Sequence, residues 1–139
     1  MIILLLTGIK AYAQNNSLTV ISNQEGAPSE MKLTELKSIF MAEKKNWDNG
    51  KKIVIALMKT YSEIGKKIGE KIYNMNGDEV NKFWLTLVFR GNTEPPLFFD
   101  SVDKLQEFVS KNPYSIGIID QSPQISGIRV VLIDGKKSF

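Results

Sequence analysis

The 139-residue sequence contains no cysteine and no histidine. The first absence excludes a disulfide framework, a thiolate metal site and a cysteine nucleophile, and the second removes the commonest metal ligand and general base. Arginine is scarce as well. Arg90 and Arg129 stand alone beside the lysines, and no basic stripe runs through the chain, so bidentate contacts to phosphate groups or guanine have few donors and nucleic-acid binding is not expected. The acids are scattered, with no pair suggesting general acid and base roles. The glycine pair Gly65 and Gly69 lies inside a helical pattern, not between a strand and a helix as a nucleotide loop requires. No enzyme activity, metal or cofactor is therefore expected. Long apolar runs and repeats are also missing, which excludes a membrane span in the mature chain and a solenoid.

What is present is ordinary globular usage, 42% hydrophobic and 24% charged, with a formal net charge of +3. The length suits one domain. Residues 2 to 9 form a short apolar run followed by Ala11-Tyr12-Ala13, the small-x-small pattern that a signal peptidase accepts. The expectation is a signal peptide over residues 1–13, cleaved before Gln14, and a periplasmic or secreted domain over residues 14–139. No positive residue precedes the apolar run, and a first strand buried in the core is the alternative.

Along the mature chain, Leu18 to Ile21 reads as a buried strand, and Leu33, Leu36, Ile39 and Phe40 recur at helical spacing. Trp47-Asp48-Asn49-Gly50 is a turn cluster, and Ile53 to Leu57 resumes a strand. Ile64, Ile68 and Ile72 mark an amphipathic helix. Asp78 is placed to cap another, which carries Phe83, Trp84, Leu87 and Val88 and stops at Gly91. Pro95-Pro96 interrupts regular structure, and Val102 to Val109 form a helix ending at Asn112-Pro113. Ile116 to Ile119 and Ile128 to Ile133 are the last strands. The alternation predicts an α/β fold, a mainly parallel sheet flanked by helices, with two helices and a proline loop but no strand between Ile72 and Asn112.

Several of these blocks, in this order, resemble one lobe of the phosphate-type substrate-binding proteins of ABC transporters, the type 2 periplasmic-binding-protein fold. Leu18 to Asn23, Leu33 to Phe40, Trp47 to Gly50 and Ile53-Val54 are similar to the family's strand, its helix ending in Ile-Phe, its Trp-containing turn and its next strand. Phe83-Trp84, Phe89-Arg90-Gly91, Pro95-Pro96 and Pro113 to Gly117 are similar to its later blocks. The resemblance implies a non-enzymatic binding module for phosphate or another small oxyanion, with an ABC permease as partner. The chain is too short for two lobes, so a homodimer or a partner lobe would have to cover the ligand. Where the family has an arginine and a Ser-Gly-Thr stretch, this sequence reads Met58-Lys59-Thr60-Tyr61-Ser62-Glu63, without the glycine. A lobe that has lost its ligand and serves as a protein-interaction or assembly module of the cell envelope is the alternative, and it predicts an exposed apolar face.

The candidate ligand-binding residues are Lys59, Thr60 and Ser62, which follow a strand and open a helix, with Ser22 and Asn23 expected at the same edge of the sheet. Thr60 with Glu63 three residues on is also a capping-box pattern, and Ser22-Asn23 also reads as a plain turn. Lys44-Lys45 and Lys51-Lys52 read as a solvated loop or as a docking tip for an acidic partner or anionic lipid. Trp47 and Trp84 read as packing residues before binding anchors.

Overall fold

The computed structural model describes residues 17–91 and 93–139, so the expected signal peptide lies outside the described residues. The elements follow in the order β1 (Thr19–Asn23), β2 (Glu30–Met31), α1 (Leu33–Phe40), β3 (Val54–Met58), α2 (Glu63–Ile68), α3 (Gly77–Phe89), β4 (Leu97–Phe99), α4 (Val102–Lys111), β5 (Ser115–Ile119) and β6 (Ile128–Ile133). A π-helical turn, Gly69–Tyr73, prolongs α2. Asn74, in the left-handed region at φ 52°, ends it.

The six strands form one sheet in the order β2-β6-β1-β5-β3-β4. The pairs β2–β6, β5–β3 and β3–β4 are parallel, and β1 runs antiparallel to both of its neighbours. The fold is the expected α/β arrangement, a mainly parallel sheet with helices packed on it. Two features differ from the sequence reading. First, the segment expected to lack a strand contains β4, which pairs Leu97 with Ala56 and Phe99 with Met58. It is an edge strand of three residues entered from Pro95-Pro96, a place where proline costs no ladder bond. Second, β1 is reversed relative to β3 and β5, and this decides where its end lies.

The crossover from β3 to β4 carries α2 and α3, and the return from β4 to β5 carries α4 in the opposite direction along the sheet. Right-handed connections place these two groups on opposite faces. On the α4 face, Leu105 lies close against Gly117, where a Cβ would come within 3.0 Å of it. On the other, the Tyr73 hydroxyl donates to the Phe40 carbonyl at 2.8 Å and accepts from Trp84 Nε1 at 3.1 Å, tying α1, the π turn and α3 together. Both tryptophans are buried, and Trp47 Nε1 donates to the Tyr114 carbonyl at 2.9 Å, so they serve packing. The turn before β3 forms as expected, with Gly50 at φ 82° and its N–H donating to Trp47 O at 2.8 Å.

Candidate functional site

The chain leaves β3 at Met58 and turns through Lys59-Thr60-Tyr61 into α2. Lys59 N–H still donates to Phe99 O at 2.9 Å, so the corner stays laced to β4. Ser62 then organises the turn. Its N–H and hydroxyl both donate to Lys59 O, at 3.0 and 2.6 Å, and its Oγ accepts from Gly65 N–H at 3.0 Å. Ser62 is thus the N-cap of α2, a position where a serine hydroxyl satisfies an orphan first-turn donor. Gly65 makes this closure possible, because a Cβ there would lie 2.1 Å from the Lys59 carbonyl oxygen. With the Gly65 amide on Ser62 Oγ and the Lys66 amide on Ser62 O, the Glu63 and Ile64 amides are the first-turn donors without a protein acceptor among the described residues.

The capping role expected of Thr60 and Glu63 therefore belongs to Ser62. Thr60 is instead clasped by the start of α3: its hydroxyl donates to Asn81 Oδ1 at 3.3 Å, and a Cβ on Gly77 would lie 3.1 Å from its carbonyl oxygen. The capping box of the chain is at α3, where Asn76 Oδ1 accepts from Glu79 N–H and Glu79 Oε1 from Asn76 N–H. Asp78, expected as that cap, sits in the first turn.

The charges around the corner are mixed. The Lys59 ammonium lies 6.0 Å from the centre of the Tyr61 ring, which is 70% exposed. The Lys104 hydrogen bond, seconded by the charges of Lys104 and Lys59, holds the Asp100 carboxyl below the usual range. A cleft of about 550 Å³ opens beside Thr60 and Tyr61 toward the start of α3, and Lys66 in its wall is outnumbered by Glu70, Asp78 and Glu79. That balance of charge disfavours an anion in the cleft. Asn81 and Asp100, which shape the corner, carry no signal in the sequence, since both reach it from other elements.

The structure brings Lys59, Thr60 and Ser62 together and leaves Ser22 and Asn23 apart from them. Ser22 pairs with Ile116 at the start of β5, level with the start of β3, because β1 is antiparallel. The two groups lie at opposite ends of the strands, about 13 Å apart along β3. Ser22 is fully buried. Asn23 forms a turn: its Nδ2 donates to the carbonyls of Val109 and Ser110 at 2.8 and 3.1 Å, and its Oδ1 accepts from Glu25 N–H at 3.0 Å. The shared crevice expected of them does not form.

The fold finds counterparts among solved structures. A phosphate ABC-transporter-type substrate-binding protein from Clostridium perfringens, with bound phosphate, superposes with a TM-score of 0.63 at 17% identity over 86% of this chain and 46% of its own. An ABC-type phosphate transport receptor from Vibrio cholerae gives 0.64 at 14% identity over 94% of this chain and 55% of its own. PstS from Borrelia burgdorferi gives 0.58 at 16% identity over 86% and 48%. The chain has the fold of a phosphate-type substrate-binding lobe. It spans about half the length of each of these proteins. At such identities the likeness is one of fold. No protein-family model and no curated protein matches the sequence.

Proposed function

We propose that this phosphate-type lobe is a non-enzymatic, extracytoplasmic binding module that takes phosphate or a similar small oxyanion weakly at the corner after β3. The observation that carries the reading is the strand-to-helix turn itself: Lys59 follows the carboxyl end of the parallel strand β3, where ligands bind in α/β sheets, and the chain then enters a helix capped by Ser62. The Thr60 hydroxyl reaches an anion only by giving up its 3.3 Å bond to Asn81 Oδ1, and Ser62 acts through the cap and not through its own oxygen. Nearby acids and the exposed position keep affinity low, because a small-molecule site ordinarily buries most of its ligand. A periplasmic or secreted address follows from the amino-terminal pattern, and an ABC permease is the partner that fits the fold. No helix of the described residues is long and apolar enough to cross a membrane. Phosphate titration should shift the amide resonances of residues 59 to 64, and Lys59→Ala should weaken that response. Unchanged resonances at millimolar phosphate would refute the reading.

A second reading, an envelope assembly module or homodimer, is favoured by a specific feature of α3. Leu85, Val88 and Phe89 recur at i, i+3 and i+4 and are exposed, Phe89 by 83% and Leu85 by 57%. This is the apolar face that an interaction module requires.

A further inference from the structure

The outer side of α3 carries an apolar stripe between charged ends. Val80 and Trp84 turn inward and are buried, whereas Leu85, Val88 and Phe89 are exposed. Asp78 and Glu79 stand in the first turn, Arg90 is the carboxyl-terminal cap, and Lys82 lies between them. Among the described residues, none of these four side chains is engaged in an ion pair. Acids at the start and a cation at the end suit the helix's own dipole, but the dipole gives no reason for an exposed stripe of leucine, valine and phenylalanine.

The charges also decide what fits over the stripe. They sum to zero and are ordered along the helix, acids first and cations after. An anionic membrane surface would attract Lys82 and Arg90 and repel Asp78 and Glu79, and a partner of either single sign would leave one end unmatched. A second copy of α3 laid in the opposite direction matches both ends at once. Glu79 and Arg90 are separated by about three turns, or about 17 Å, so they leave the helix on the same flank. Centring the pair midway between them puts Leu85 beside the two-fold axis. Phe89 of each copy then lies next to Leu85 of the other, and Glu79 of each against Arg90 of the other.

We propose that α3 pairs with α3 of a second copy in antiparallel register, with Leu85 at the two-fold axis and Glu79 facing Arg90 on either side of it, an inference that rests on the reading of this helix as an assembly face. The test is sedimentation equilibrium of the full chain and its variants over a range of concentrations. The wild-type chain should dimerise. Arg90→Glu should raise the dimer dissociation constant about tenfold, because two attractions per dimer become two repulsions. Glu79→Gln, which keeps the capping box, should raise it about threefold. Mixed with Glu79→Lys, Arg90→Glu should form a heterodimer about tenfold tighter than either variant's own dimer, since each like-charged contact is exchanged for an opposite one. A wild-type chain that stays monomeric at millimolar concentration would overturn both this pairing and the assembly reading. A dimer indifferent to Arg90→Glu and Glu79→Gln, or variants without preference for each other, would overturn the antiparallel pairing and leave the assembly reading standing.

Discussion

Ser62 uses its hydroxyl in two directions, donating to Lys59 O and accepting from Gly65 N–H. Ser62→Ala removes both bonds and should lower stability by about 1 kcal/mol, read as a fall of several degrees in Tm. An unchanged Tm would show that α2 is capped otherwise. Tyr73 offers a second test at this scale. Burial raises its phenol above the ordinary value, with the Trp84 hydrogen bond acting in the opposite direction. A raised folded-state value means that the stabilisation is complete below about pH 10, where the unfolded tyrosine titrates, and is lost as pH rises beyond it. Tyr73→Phe should flatten this alkaline slope. At neutral pH it should cost about 1 to 3 kcal/mol, because the Phe40 carbonyl and Trp84 N–H lose their buried partner. Denaturant melts from pH 7 to 11 measure both effects, and an identical alkaline slope in the variant would contradict the assignment.

Among the elements, the helices were legible because their apolar residues recur at a period that only a helix places on one face. Leu36, Ile39 and Phe40 are buried in α1, and Leu105 and Val109 in α4. The short edge strands were not. Glu30–Met31 and Leu97–Phe99 are defined by what they pair with, and two or three residues carry no period of their own. The candidate site divides in the same way. Lys59 to Ser62 could be found because a strand pattern gives way to a helix pattern there. Ser22 and Asn23 were assigned to the same edge because the direction of β1 is set by its partners and not by its residues. Which of Thr60 and Ser62 would cap was equally open, as both are capable. Gly65 had a local meaning, a weak point in a helix, and a structural one that only the closed corner displays. Gly65→Ala should therefore cost about 3 kcal/mol or more, since the atoms a Cβ would meet at 2.1 and 2.8 Å are Lys59 backbone and cannot turn aside. A urea melt showing a gain in stability, as expected for glycine replaced in an ordinary helix, would refute the close approach.

For the whole molecule, the question is what a domain of this fold does. The solved proteins whose fold it shares are about twice as long, and Lys59 at the end of β3 is half-buried. If α3 is an assembly surface, light scattering should give a stable oligomer irrespective of phosphate, and Phe89→Lys with Leu85→Lys should return it to a monomer. A protein that is monomeric at all concentrations would remove that reading. The oxyanion reading is tested most directly by equilibrium dialysis of the full chain against inorganic phosphate at constant ionic strength. The account predicts saturable one-to-one binding with a Kd of about 1 mM, equivalent to about 4 kcal/mol, and weaker binding by Lys59→Ala. Phosphate uptake that never saturates, or that is the same in Lys59→Ala, would contradict it.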